Sequence, residues 1–126
     1  MLRIAACAAV VALSASGAVA QAPPANEAAA MHDFFGAALQ IDLPGGEWSA
    51  KRYYAPDHTY REHGSGGEVH GVWSIENGKI CAAQADPPEG SPARYCNVGV
   101  GKKLGETWRD TDPVTGNTVT FTLKPA

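Results

Sequence analysis

One dipeptide, Asn77-Gly78, constrains this chain more than any other feature. Both residues tolerate positive φ, and together they specify the tightest β-hairpin turn. A two-residue turn fixes the register of its flanks, so Glu76 faces Lys79, Ile75 faces Ile80, Ser74 faces Cys81 and Trp73 faces Ala82. Side chains alternate along a strand. Trp73, Ile75, Ile80 and Ala82 therefore share one face, and Val72, Ser74, Cys81 and Ala83 the other. The Trp73 face is the better core, which puts Cys81 on the opposite side.

Turn chemistry recurs at steady spacing around that hairpin. Leu39, Ile41 and Leu43 alternate with polar residues before Pro44-Gly45-Gly46, giving a strand near 37–43. A second, 47–54, carries Trp48, Tyr53 and Tyr54 and ends at Ala55-Pro56-Asp57. A third, 58–63, is polar except for Tyr60, so it reads as an edge or as a strand with a fully wet outer face. Strands follow at 68–75, after Gly78, and at 93–100, 106–110 and 117–123. In the last, Val119, Phe121 and Leu123 alternate with threonines, the cleanest half-buried pattern present. Before them all, Asn26 opens a short helix stopped by Gly36, with Met31, Phe34 and Phe35 on one face. The expected fold is mainly β: about eight antiparallel strands in a meander, forming a small barrel or strongly bent sheet, with the helix plugging one end. A two-sheet sandwich is the alternative, and the absence of βαβ alternation argues against a parallel α/β fold.

The beginning of the chain reads as an export signal. Arg3, an apolar run from Ile4 to Leu13 and the small-x-small site Ala18-Val19-Ala20 predict cleavage after Ala20, and the run is too short to span a bilayer. Cys7 stands too early for a lipoprotein box, because no apolar core precedes it. Residues 21–25 read as a flexible Pro/Ala tether, and 26–126 as a single β-rich domain. Cys81 and Cys96 are then the two cysteines left in an oxidising periplasmic or secreted setting, which predicts a disulfide between them. Without Arg3, ten basic residues become nine against thirteen acidic ones, a formal charge of −4. That balance, with the basic residues scattered, argues against nucleic acid as a partner.

Tyr54-Ala55-Pro56-Asp57, Gly71-Val72-Trp73 and Gly78-Lys79-Ile80-Cys81, followed by Cys96, resemble a group of small exported bacterial domains of unknown function. The resemblance covers roughly residues 34 to 98 and implies a β-rich exported domain without supplying an activity. His58 follows the Asp57 turn where the pattern leads one to expect Gly. The Gly-x-Trp segment is also similar, at the level of fold analogy, to lipocalin and avidin barrels, where such a Trp closes the barrel floor.

Four groups of residues invite a chemical reading. His58, His63 and His70, near Asp57, Glu62 and Glu68, carry metal-ligand chemistry, but an odd separation sends His58 and His63 to opposite faces of one strand. Ser65 lies among glycines but lacks the strand-to-helix elbow of a nucleophile. The carboxylate pairs Asp110 with Asp112 and Glu62 with Glu68 have the residue types for acid and base work, yet sit in or beside turns. The aromatics Trp48, Tyr53, Tyr54, Tyr60 and Trp108, with Trp73 and Tyr95, exceed what so small an interior needs, and some of them are expected at a rim where they offer rigid contact area. These features point to a non-catalytic binding module for an envelope protein, a glycan or a small hydrophobic ligand, with no cofactor. A structural or envelope-stress role and a small hydrolase or metalloprotein are the competing expectations.

Overall fold

The structure is a computed structural model, and it describes residues 25–112 and 115–126. The expected export segment and residues 21–24 of the tether lie outside these. A short helix, α1 (Ala25–Ala30), precedes eight strands: β1 (Ala37–Asp42), β2 (Ser49–Tyr54), β3 (Thr59–Gly64), β4 (Gly67–Glu76), β5 (Lys79–Gln84), β6 (Tyr95–Asn97), β7 (Thr107–Thr111) and β8 (Thr118–Pro125). They form one sheet in the order β6-β5-β4-β3-β2-β1-β8-β7, and every ladder is antiparallel. Because β8 returns to lie against β1, this is an up-and-down meander curled into a nearly closed barrel, and the sandwich alternative falls away. Among the described residues, the ladder missing from the circle is the one between β6 and β7.

Asn77 and Gly78 have φ of 51° and 73°, the mirror-image turn that matches strand twist. The β4–β5 register is the one this turn dictates, from Glu76↔Lys79 to Trp73↔Ala82. The Cys81–Cys96 disulfide joins directly opposed residues of β5 and β6 on the outer face.

Of the two readings of β3 the wet outer face holds, and the helix expectation needs correction. β3 lies between β2 and β4, so it is not an edge; its exposed residues Thr59, Arg61 and His63 make up the wet outer face, while Tyr60 and Glu62 point inward. The helix is also shorter than 26–36. After Ala30 the backbone tightens, with the Phe34 amide donating to the Met31 carbonyl, and this turn drives Met31 and Phe34 into the barrel end. Phe35 departs from that face to pack on Trp73 and form a parallel bridge with Tyr54. Burial of the plug has overridden continuation of an isolated helix, which at this length contributes little on its own.

The plugged end is closely enclosed. Phe34 meets Tyr54 and Trp108 edge-on, Tyr54 meets Trp73 edge-on, and Trp108 stacks on Phe121 at 5.6 Å. Gly71 faces inward beside Tyr60; a Cβ there would come within 2.0 Å of the Ala83 carbonyl oxygen and 2.8 Å of the Tyr60 ring. Tyr60 thus covers a position no other residue can occupy.

Strand β6 spans three residues rather than the expected eight. Past Cys96 the Asn97 side chain accepts the Gly99 amide at 2.8 Å, and the Val98 amide donates to Asp110 on β7 at 3.2 Å. Local side-chain bonds have replaced the ladder. The other Asp110 oxygen accepts the Thr111 amide at 2.9 Å, so one carboxylate caps backbone donors on both lips of the seam.

Candidate functional site

Alternation along β2 and β3 places charge inside the barrel. Ala50, Arg52 and Tyr54 face inward on β2, and the register sets Arg52 opposite Glu62 and Tyr54 opposite Tyr60. Arg52 donates from Nε at 2.9 Å and from Nη2 at 2.7 Å, both to Glu62 Oε1, and from Nη1 to the Tyr54 hydroxyl at 3.2 Å. Its guanidinium lies 4.9 Å from the centre of the Tyr60 ring, a cation–π contact. Glu62 is 7% exposed. Among the described residues, no donor is paired with its second oxygen, Oε2.

Burial works against the charge on Arg52, but the Tyr54 oxygen and the Glu62 carboxylate more than offset it and raise its pKa above the ordinary value. Burial also lifts the Tyr60 phenol, opposed in part by Arg52. The pair is therefore held in a largely buried place. Such a pair stabilises a fold weakly at best, because desolvation of two ions consumes most of what their attraction returns.

The pair is not sealed off. Arg52 and Glu62 line a cavity of about 420 Å³ at the end of the barrel opposite the plug. Trp48, Leu43 and Val69 wall one side, and Pro87, Pro88 and Pro92, from the loop between β5 and β6, wall the other. A smaller chamber of about 110 Å³ shares Arg52, Tyr95 and Asp112 with it and reaches Asp110 at the seam. Burial, then the Asp112 carboxylate, pushes the Tyr95 phenol up, which places that carboxylate's field on the shared wall. A depression of about 580 Å³ near the β2–β3 turn is more open, and the charged side chains lining it, Arg61 and His70, are exposed.

The residues singled out in the sequence separate. Trp48 and Tyr60 line the mouth cavity, joined by Tyr95. Tyr54, Trp73 and Trp108 belong to the buried core, and Tyr53 lies on the outer face beneath Arg61. Trp73 donates its indole N–H to the Ala55 carbonyl at 2.8 Å, whereas the buried Trp108 N–H has no acceptor among the described residues. The histidines disperse. His58 packs against Trp73 at 4.4 Å and pairs with Glu27 at 3.0 Å, His63 pairs with Glu68 on the outer face at 3.0 Å, and His70 is exposed beside Arg61 on that face. Among the described residues, the group of potential metal ligands close enough to converge is Glu76 with Cys81 and Cys96, and both sulfurs are spent in the disulfide. Ser65 exchanges hydrogen bonds with the Ser49 backbone. Glu62 and Glu68 point to opposite faces, while Asp110 and Asp112 both reach the smaller chamber.

His58 has a φ of 70°, the left-handed conformation that explains the expectation of Gly after the Asp57 turn. Its contacts with Trp73 and Glu27 offset a backbone cost of about 1 kcal/mol.

Sequence reasoning missed Arg52, and it singled out Glu62 only beside the histidines and in a pairing with Glu68 that strand parity separates. The signal was available: counting back from the Pro56-Asp57 turn puts both at the same parity as Tyr54 and Tyr60. No protein-family model, curated protein or solved structure matches the chain, so the functional reading rests on this geometry.

Proposed function

We propose that this domain is an exported, non-catalytic binding module that holds a small amphipathic molecule in the mouth of its barrel. The observation that carries the reading is the cavity of about 420 Å³ with a buried Arg52–Glu62 pair on its wall. Apolar walls with a few convergent polar groups are the usual composition of a small-molecule site, and this volume falls within the usual range of about 300–1,000 Å³. A buried ion pair that adds little to stability is accounted for if a ligand uses it. The carboxylates have structural occupations: Glu62 Oε1 takes two bonds from Arg52, and Asp110 caps the seam. An exported location is supported by the disulfide, which persists in oxidising compartments. No helix among the described residues is long and apolar enough to cross a membrane.

Filling the mouth tests the reading. Val69→Trp adds an indole to the cavity wall without entering the plug. A fragment library screened by ligand-observed NMR should give hits with the parent protein that disappear in Val69→Trp, while the circular dichroism spectra of the two coincide. Absence of hits, or hits indifferent to Val69→Trp, would overturn it.

A further inference from the structure

Resting on that reading, we infer that the ligand is an uncharged cyclic amide, a molecule whose head carries an N–H and a C=O side by side on an apolar body. The Arg52–Glu62 pair leaves a defined set of hydrogen-bonding atoms unused. A guanidinium has one N–H on Nε and two on each terminal nitrogen. The Nε donor and one N–H of Nη2 go to Glu62 Oε1, and one N–H of Nη1 goes to the Tyr54 hydroxyl. Among the described residues, the second N–H of each terminal nitrogen has no acceptor and Glu62 Oε2 has no donor. Oε2 shares its carbon with the oxygen that lies 2.7 Å from Nη2, so the unused donors and the unused acceptor are neighbours. Both residues line the mouth cavity of about 420 Å³.

The two side chains are 14% and 9% exposed, so a group that reaches them gives up most of its own water. That cost is largest for an ion. An anion can take both free N–H groups of Arg52, but it then stands against the Glu62 carboxylate and leaves Oε2 unpaired. An ammonium can take Oε2, but it then stands against the guanidinium and leaves both N–H groups unused. The pair itself carries no net charge to offset either kind of ion. A neighbouring C=O and N–H answer both partners at once. The carbonyl accepts from Arg52 and the N–H donates to Oε2, and each bond has a charged partner, which makes it stronger than a bond between neutral groups. Trp48 and Val69 on one wall, with Pro87 and Pro88 on the other, offer apolar surface for the body of such a molecule.

Four flat bicyclic compounds of similar size test this by calorimetry on the purified, oxidised protein near neutral pH: carbostyril, which is a cyclic amide, its N-methyl derivative, naphthoate and naphthylmethylammonium. Carbostyril should bind roughly tenfold or more tightly than the N-methyl derivative, which keeps the carbonyl and loses the donor, and more tightly than either ion. Its affinity should hold as salt is raised, because it brings no net charge. Glu62→Gln keeps the side-chain shape and removes the counter-charge of Arg52, so naphthoate should gain roughly tenfold on that variant. The ranking on the parent protein decides the matter even where that variant fails to fold. An N-methyl derivative equal to carbostyril, or either ion binding more tightly than carbostyril, would overturn the inference while leaving the binding pocket standing. Binding by none of the four beside a fragment screen that yields hits would do the same. Binding by none of them with an empty screen would remove the pocket and this inference with it.

Discussion

The two ends of the barrel interior are built from the same strands and differ in every other respect. At one end Met31, Phe34, Trp73 and Leu123 are almost wholly enclosed, Phe34 and Trp73 meet aromatic neighbours edge-on, and the Trp73 N–H is satisfied by a backbone carbonyl. At the other, the inward positions of β2, β3 and β7 carry Arg52, Glu62 and Asp110, and space remains between them. A chain selected for stability alone would fill both ends with apolar side chains, since burial contributes about 25 cal/mol for each Å² removed from water and buried ions return little. The contrast teaches where stability is made and where it is spent. The plug holds the barrel, and the mouth departs from good packing in a localised way, as functional sites do.

Truncating the plug should have the largest effect. Trp73→Ala removes a side chain that is 2% exposed and is expected to cost about 3–5 kcal/mol. Thermal denaturation should show the midpoint falling by more than about 10 °C in a domain of this size. A loss below about 1 kcal/mol would mean that the two ends are not distinct in energy.

The mouth should respond differently to one change than to two. Glu62→Leu strands the Arg52 charge and should cost about 3 kcal/mol, the lower part of the range for buried pairs because the cavity admits water. Arg52→Leu combined with Glu62→Leu should recover most of that loss and end within about 1 kcal/mol of the parent, or above it. Urea denaturation of the three proteins measures this. A double variant as unstable as the single would show that the pair itself stabilises the barrel.

Acid should loosen the plugged end by a smaller amount. Hydrogen bonds from Thr59, first through its hydroxyl and then its amide, hold the Asp57 carboxyl below its usual value, and His32, then the Leu104 amide, do so for Asp33. A depressed carboxylate adds stability that is fully present above its ordinary value of 3.8 and is lost as pH falls from there through the lower folded value. In Asp33→Asn/Asp57→Asn, the dependence of stability on pH below 3.8 should flatten relative to the parent, as chemical denaturation at stepped pH would show. An unchanged slope would place the acid sensitivity elsewhere.

The difference between the ends also accounts for what the sequence reveals. The hairpin register, the core face of Trp73 and the outward disulfide follow from one turn and a period of two, because nothing opposes them. The interior pair is hard to read because Arg52 and Glu62 occupy apolar parity, a local conflict that suggests a wet or edge strand when β3 is taken alone. Pairing β2 with β3 through Tyr54 and Tyr60 removes the ambiguity. The shortness of β6 is illegible for another reason: it depends on Asp110 arriving from β7 to take the Val98 amide, a contact between residues 12 apart that no local pattern encodes.

The disulfide closes the chain from Cys81 to Cys96 into a covalent ring that contains the proline-rich wall of the mouth. Exposed Arg94 lies within that ring, so a trypsin cut there severs the polypeptide without separating its pieces. The nicked protein would run as one species without reductant and as two fragments with it, which makes integrity of this wall invisible to electrophoresis that leaves the bridge intact.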